Sequence, residues 1–258
     1  MKIKSLIILG LALSANAFGA ITLQSGFSSF KANDSGQILS NMGNQSLSLT
    51  LGEANVSADK SGITTGQTTG ANNKTKVDIS SLNLSTKTGF TINMQVNSVK
   101  NKVNNGSIFG LSTNTNDNAW ILRTEGSNDG FVINGSSSGR PTTALTSVLD
   151  TTKEFNVTLS VENNQATVFL LQNGITTTLT WNQSVTESTA KELFLGSWGS
   201  LTGNKDSVDF AGISFYSGAA TAADIPTMIQ NYSIPEPSTA TLGLLGLGGL
   251  LLRRRRVH

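Results

Sequence analysis

The stretch Phe90-Thr91-Ile92-Asn93-Met94-Gln95-Val96 decides the fold class of this chain. Apolar and polar side chains alternate along it without exception. Successive side chains of a β-strand point to opposite faces, so this period of two predicts a strand with one face in an apolar core and the other in water. A helix would instead need apolar residues three and four positions apart.

The same alternation recurs further along the chain, and turn signals separate the alternating runs. The clearest further runs are residues 155–161 and 47–51. Asn163-Asn164 separates two predicted strands, and Asn173-Gly174 is typical of a type I′ hairpin turn. Short strands about ten residues apart predict an all-β fold, an antiparallel β-sandwich. We expect one apolar core that includes the following residues: Phe90, Ile92, Met94, Val96, Phe155, Val157, Leu159 and Val161.

Two segments depart from the alternating pattern. Residues 221–232 place Ala222, Ala223, Ile225, Met228 and Ile229 on one helical face, which predicts a short helix after the last strand. Residues 54–73 are rich in Ser, Thr and Gly, and we interpret them as a loop or a bulged edge.

The first residues contain the three parts of a secretory signal. Lys2 and Lys4 precede an apolar stretch at 6–13, and the small residues Ala15-Asn16-Ala17 form a cleavage sequence, with cutting after Gly19 as the alternative. We therefore predict that residues 1–19 are a signal helix that directs export through the secretory translocon. The chain has no cysteine, so the exported fold contains no disulfide.

The C-terminal residues 233–258 combine three further elements in order. Pro235-Glu236-Pro237 is followed by an apolar run at 240–252 and then by Arg253, Arg254, Arg255 and Arg256. The run of 13 residues would form a helix of about 20 Å, which is shorter than the roughly 30 Å hydrocarbon core of a bilayer. The arginines act as a membrane stop on the cytoplasmic side, so the preceding residues lie outside.

This tail resembles the PEP-CTERM sorting signal of bacterial exported proteins, because the Pro-Glu-Pro motif, the short hydrophobic helix and the arginine cluster occur in that order. The resemblance implies recognition by an exosortase, a membrane protease that handles such proteins at the Pro-Glu-Pro motif. It also implies a transient stay in the inner membrane. We expect Pro235, Glu236 and Pro237 to be the sorting motif.

We expect residues 20–232 to be one domain, and its later part resembles a concanavalin A-like jelly roll of the laminin-G-like type. The resemblance rests on the strand TGFTINMQV, the central pair KEFNVTLSVENNQATVFLLQNG, a closing Leu-Gly step at 195–196, a strand at 210–216 and the short helix. It covers about residues 89–229 and implies one jelly-roll domain. The family carries acidic residues after its Gly-x-Ile step, where this chain has Ser214 and Phe215.

The distribution of charge argues against a nucleic-acid partner. The whole chain has a formal net charge of +2, but six of its 18 basic residues are Lys2, Lys4 and the four C-terminal arginines. The rest of the chain holds 12 basic and 16 acidic residues. Binding to phosphates needs a basic face, which this composition does not favour.

The sequence offers little for catalysis. The single histidine is His258, behind the arginines, and there is no cysteine, so His- or Cys-based nucleophilic catalysis and a His-bound zinc are excluded for the exported body. Residues 135–139 match G-x-S-x-G but lack the histidine partner of a nucleophile elbow. Asp206 and Asp209 are three apart, so on one strand they would face opposite sides. We expect no enzyme activity and no metal.

Three candidate ligand sites remain. Asn114 to Asn118 with Glu125 approximates the spacing of a calcium loop, although Ala119 stands where that loop needs glycine. Trp181 or Trp198 would stack on a sugar if its ring were exposed, and would otherwise belong to the core.

The leading hypothesis is an exported non-enzymatic protein of the cell envelope, cell surface or extracellular matrix, sorted through its tail. The first alternative is a carbohydrate-binding adhesin with a polysaccharide partner. The second alternative is a divergent glycoside hydrolase, which would need a facing pair of carboxylates in a cleft.

Overall fold

The computed structural model describes residues 21–28, 30, 33–57, 61–66, 74–100, 106–125, 130–135, 149–181, 184–197 and 207–230. The predicted signal peptide at residues 1–19 and the predicted sorting signal at 233–258 lie outside these ranges. Sixteen strands, one 3-10 turn at Ser80–Leu82 and one short helix, α1 (Ile225–Gln230), make up the described part. No helix in this part is long and apolar enough to cross a membrane.

The first seven strands are two to six residues long. They are β1 (Thr22–Phe27), β2 (Gln37–Leu39), β3 (Met42–Gly43), β4 (Ser48–Thr50), β5 (Asn55–Val56), β6 (Ile63–Thr64) and β7 (Lys76–Asp78).

The later strands are longer. They are β8 (Phe90–Lys100), β9 (Ser107–Thr113), β10 (Asn116–Glu125), β11 (Gly130–Gly135), β12 (Phe155–Glu162), β13 (Gln165–Gln172), β14 (Ile175–Trp181), β15 (Ala190–Leu195) and β16 (Ser207–Ser217).

The strands form two antiparallel sheets that pack as a sandwich. Sheet A has the order β14-β13-β12-β8-β16-β1-β3, and the β5–β6 hairpin also pairs with β16. Sheet B has the order β11-β10-β9-β15-β7-β4-β2. The predicted all-β sandwich is therefore confirmed. β14 stands at one end of the order of sheet A, and β11 at one end of the order of sheet B.

The apolar core between the sheets contains all eight residues predicted for it, each at most 2% exposed. Register explains the agreement, because Val157 lies opposite Met94 and Leu159 opposite Ile92 across the β8–β12 pair. The ring of Phe155 meets that of Phe131 from sheet B edge to face, with centroids 6.0 Å apart. The core therefore joins the sheets by direct aromatic contact.

The two predicted hairpin turns are confirmed by their backbone angles. Asn163 and Asn164 have φ of 51° and 64°, and Asn173 and Gly174 have φ of 52° and 78°. Two consecutive positive φ values define a type I′ turn, whose twist matches that of the flanking strands. β12, β13 and β14 therefore form a continuous meander.

The predicted C-terminal helix exists but begins later than expected. Ala222 and Ala223 are exposed and precede it. The Thr221 hydroxyl donates to Asp224 Oδ2 at 2.6 Å, and this local hydrogen bond favours a turn over a helix at these positions. Only Ile225 and Met228 of the expected face are fully buried.

The loop expected at residues 54–73 is also corrected in part. β5 and β6 form a small hairpin there, and β6 pairs with Asp209 and Phe210 of β16. Two-residue strands have too few positions to show an alternating pattern, which is why the sequence did not indicate them.

Candidate functional site

The outer face of sheet A, which points away from the core, is polar but does not lie in water as the alternation predicted. Thr91, Asn93 and Thr158 are 0% exposed. Asn93 Nδ2 donates to Asn156 Oδ1 at 2.8 Å and to Thr158 Oγ1 at 2.7 Å, and Asn156 Nδ2 donates back to Asn93 Oδ1. The side chains of Asn93, Asn156 and Thr158 therefore bond one another, so both buried side-chain amides have hydrogen-bond partners.

The segment that follows β16 lies across one end of this face. Thr91 Oγ1 donates to the Gly218 carbonyl and accepts from the Ala220 amide, both at 2.8 Å. Ser160 Oγ donates to the Ala220 carbonyl at 2.9 Å. These three hydrogen bonds hold residues 218–220 in place as a wall.

Between this wall and the β12–β13 hairpin lies a groove of about 200 Å³, which we call the outer groove. Its floor consists of the outward side chains of the hairpin: Ser160, Glu162, Asn163, Gln165, Thr167 and Phe169. Cross-strand register places Ser160 opposite Thr167 and Glu162 opposite Gln165. The groove thus combines hydroxyl, amide and carboxylate groups with one aromatic ring.

Glu162 is the charged side chain of the outer groove. It has no hydrogen-bond or ion-pair partner within the described residues. Lys87 lies nearby, because its carbonyl accepts from the Asn163 amide at 3.2 Å. The Lys87 ammonium, however, is paired with Glu187 at 3.2 Å. The groove therefore presents one negative charge and no cation from its lining.

Two other described carboxylates, Asp150 and Asp78, serve local structure. Hydrogen bonds from the Thr152 hydroxyl, Lys153 and the Thr152 amide hold the pKa of Asp150 at about 2. Hydrogen bonds from the Ser80 hydroxyl and amide lower the pKa of Asp78. Each carboxylate accepts from residues two or three positions ahead of it, which is the geometry of a turn.

Asp209 differs because it joins separate strands. It accepts from Thr64 of β6, from Ser98 of β8 at 2.9 Å, and from Lys100 Nζ at 2.5 Å. Burial raises the pKa of Asp209, but the hydrogen bonds from Lys100, Thr64 and Ser98 outweigh it, so the pKa lies below its ordinary value of 3.8. An ionised, fully bonded carboxylate of this kind stabilises the fold.

Most of the predicted site residues fall outside the described residues. Pro235, Glu236, Pro237 and the arginines 253–256 do so, as do Trp198, Asp206 and the Ser-rich part of the G-x-S-x-G match. Trp181 is described, and it is 2% exposed within the core. A buried indole has no free face for a sugar, so the ligand role considered for Trp181 is wrong.

The candidate calcium loop falls on the connection between β9 and β10. Asn114 and Thr115 form the short turn, and β10 begins at Asn116. Within the described residues, no three His, Cys, Asp or Glu side chains come together as a metal site.

The sequence reasoning missed the outer groove, although one signal for it was present. β13 contains the unbroken apolar run Val168-Phe169-Leu170-Leu171, where strict alternation would place a polar residue at 169. Val168 and Leu170 belong to the core, so Phe169 must lie on the opposite, polar face. An apolar residue out of phase in an alternating strand therefore marked this site.

Comparison with family models identifies the tail. The model of the PEP-CTERM protein-sorting motif matches residues 233–256. The chain carries this sorting motif. The prediction made from Pro235, Glu236 and Pro237 is thus confirmed, and the motif indicates an exported protein that an exosortase processes at the membrane. No curated protein matches the chain.

Solved structures resemble the body in fold. Trypanosoma rangeli sialidase in complex with sialic acid superposes with a TM-score of 0.57 at 14% identity, over 80% of this chain and 32% of the sialidase. The binding domain of Paraclostridial Mosquitocidal Protein 1 gives 0.52 at 15% identity, over 82% of this chain and 52% of that one.

Botulinum neurotoxin type C, whose cell entry is described as dependent on two ganglioside molecules, gives a TM-score of 0.54 at 12% identity. That match covers 81% of this chain and 51% of the toxin chain. The chain thus spans about a third of the sialidase and half of the toxin chains. Identities this low show the fold alone, and they confirm the jelly-roll-like β-sandwich.

Proposed function

We propose that this protein is a non-enzymatic component of the cell surface or extracellular matrix, delivered there by export and sorting through its tail. The observation that carries the proposal is the outer groove, which is lined by a single carboxylate, Glu162. Most glycosidases place two carboxyl groups roughly 5–9.5 Å apart across the scissile bond, and sialidases use a tyrosine nucleophile instead. The lining of the outer groove has neither such a pair nor a tyrosine. The sandwich would therefore act by contact with other molecules.

The test of this proposal is an assay for turnover. The mature protein, purified from cells that export it, is incubated with a panel of polysaccharides, and released reducing ends are counted. We expect no release above buffer. Turnover that disappears in Glu162→Gln would overturn the proposal and favour the glycoside hydrolase alternative.

Carbohydrate binding is the second candidate, and the composition of the outer groove favours it. Sugar sites combine a few placed hydrogen-bonding groups with an apolar or aromatic surface, and Glu162, Gln165 and Phe169 supply both. The sialidase that shares the fold binds sialic acid, and cell entry of the toxin depends on ganglioside molecules, which is compatible with this candidate. A glycan array probed with the mature protein tests it, and absence of binding to every glycan would reject it.

Processing of the tail completes the proposal. Proline disfavours helical backbone in the residue before it, so the sequence predicts extended backbone at Ile234 and Glu236, which is the shape that a protease reads. Replacing Pro-Glu-Pro by Ala-Ala-Ala should leave export intact and trap the uncut protein in the inner membrane. Cell fractionation with intact-mass measurement checks this. If wild-type protein keeps Arg253 to Arg256 at its destination, the tail is only an anchor.

A further inference from the structure

We propose that the outer groove binds a single neutral sugar residue and discriminates against acidic sugars. The inference rests on the carbohydrate-binding candidate and adds the position of the site and the class of ligand. It depends on the placement of Glu162, Gln165, Thr167 and Phe169 and on the charge around them.

Cross-strand geometry brings the polar groups together. Glu162 and Gln165 lie directly opposite each other next to the Asn163-Asn164 turn. Side chains at such positions have Cβ atoms about 4.5–5.5 Å apart. A carboxylate only accepts hydrogen bonds, whereas an amide both donates and accepts. Neighbouring hydroxyls of a sugar ring both donate and accept, so this pair matches two adjacent hydroxyls.

The apolar side of the groove fits the other surface of a sugar. Phe169 lies two residues beyond Thr167 on the same strand and is 8% exposed, so it offers a limited apolar contact at the floor. The wall at residues 218–220 is held by the hydrogen bonds of Thr91 and Ser160. The site is therefore formed before any ligand arrives, which lowers the entropic cost of binding.

The size of the groove limits the ligand. Its volume of about 200 Å³ is smaller than the roughly 300–1,000 Å³ of pockets that hold drug-sized ligands. One sugar ring is the unit of carbohydrate that fits such a space. The affinity for a single sugar should be on the order of 1 mM, and polysaccharides would bind more tightly through several sites at once.

The negative charge of the groove favours neutral sugars over acidic ones. Glu162 lines the groove as a carboxylate without an ion-pair partner among the described residues, and the nearby Lys87 ammonium is already paired with Glu187. A sugar carboxylate placed here would face Glu162 with no cation between them, and like charges at short range repel. Acidic sugars, such as the sialic acid bound by the sialidase of the same fold, are therefore disfavoured.

The experiment titrates the mature protein with methyl glycosides of neutral hexoses and N-acetylhexosamines, and with sialyllactose and glucuronic acid. Binding is followed by ¹H–¹⁵N chemical-shift changes. We expect neutral sugars to shift the amides of Asn163, Gln165 and Thr167, and acidic sugars to leave them unchanged. Glu162→Gln keeps the size of the side chain but removes its charge, so it should weaken neutral-sugar binding about 3–10-fold and reduce the discrimination against acidic sugars.

Two further variants make the outcome decisive. Thr167→Gln places a larger side chain in the groove and should abolish binding, whereas Asp34→Asn removes an exposed carboxylate on the turn before β2, in the other sheet, and should leave binding unchanged. If neutral sugars bind but neither groove variant alters binding, the groove assignment is wrong and carbohydrate binding stands. If acidic sugars bind best, the neutral class is wrong. If no sugar binds, both the groove assignment and the carbohydrate-binding candidate fail.

Discussion

The meander of β12, β13 and β14 and the N-terminal strands β1 to β6 belong to the same sandwich but are assembled differently. Each meander strand pairs with the next one along the chain through a type I′ turn. By contrast, β1 and β6 pair with β16, near the far end of the body. The meander is thus specified by local signals, and the N-terminal strands depend on partners that close long loops.

The difference also shows in how the two regions are held. The meander strands are seven or eight residues long; β12 and β13 each contribute a whole face to the core, and β14 contributes Leu179 and Trp181. β3, β5 and β6 have two residues each, so they contribute few core side chains. Their position depends on close backbone approach and on polar contacts with β1, β8 and β16. Substitutions in the two regions should therefore act by different mechanisms.

The largest effect is expected from Phe155→Ala in the meander. Phe155 is 2% exposed and contacts Phe131 across the core. Truncating a buried phenylalanine leaves a cavity and should lower the free energy of unfolding by about 3–5 kcal/mol. Urea denaturation of the mature protein measures it. Thr178→Ala, on the exposed side of β14, is the control and should stay within about 0.5 kcal/mol. Equal effects of the two changes would contradict the core assignment.

Gly43→Ala tests the close backbone approach in the N-terminal region. Gly43 has φ of 77°, and a Cβ there would collide with the Gln24 carbonyl and come within 2.7 Å of Ser25 N. We expect a loss of about 2–4 kcal/mol in unfolding free energy, from backbone strain together with separation of β1 from β3.

Gly36→Ala is the matched control for this change. Gly36 has a similar φ of 74°, but an added Cβ meets nothing within 4 Å. It should cost only the left-handed backbone strain, about 1–2 kcal/mol. If thermal unfolding shows the same loss for both variants, contact between β3 and β1 is not what makes position 43 special.

Positions 155 and 43 show why the meander could be predicted from the sequence and the N-terminal strands could not. The alternation at 155–161 and the Asn173-Gly174 pair are contained in short windows of sequence, so β12 to β14 could be predicted. The need for glycine at position 43 comes from Gln24 of β1, which is distant in sequence and becomes a neighbour only after folding. No local pattern carries that information.

The outer groove likewise has one part that the sequence predicted and one part that it did not. The turn at Asn163-Asn164 and the polar phase of β12 were predicted, and they form the floor and one end of the outer groove. The wall at residues 218–220 was not predicted, because its position depends on hydrogen bonds to Thr91 and Ser160. Alternation distinguishes apolar from polar faces, but it does not reveal which polar face another segment will cover.

Asn93→Ala tests the buried polar face that the alternation placed in water. Its amide bonds Asn156 and Thr158, so removing it leaves the buried Asn156 Nδ2 without its acceptor, although the Thr158 hydroxyl still donates to Asn156 Oδ1. We expect a loss of about 1–3 kcal/mol in unfolding free energy. A double-mutant cycle with Asn156→Ala measures the coupling, which should reduce the combined loss below the sum of the two. Asn44→Ala, at an exposed position, is the control. If the losses from Asn93→Ala and Asn156→Ala simply add, the two side chains do not interact.

The smallest effect is expected from Asp209→Asn, which weakens the attachment of the β5–β6 hairpin to β16. The ionised carboxylate accepts from Thr64, Ser98 and Lys100, and an amide replaces one acceptor oxygen by a donor and removes the charge. We expect a loss of about 1–2 kcal/mol in unfolding free energy at pH 7. Amide hydrogen exchange should accelerate most in β5 and β6, because the hairpin opens before the rest of the sandwich.

The pH dependence of stability tests whether Asp209 acts through its charge. The pKa of Asp209 lies below 3.8 in the folded state, so ionisation stabilises the fold above the unfolded-state value and this contribution is lost as the pH falls through the folded value. The difference between wild type and Asp209→Asn should therefore be constant from pH 7 to about pH 5 and shrink below about pH 4. Thr178→Ala, which removes no charge, should show no such convergence with wild type. If the difference for Asp209→Asn does not shrink as the pH falls below about 4, Asp209 does not hold the hairpin through its charge.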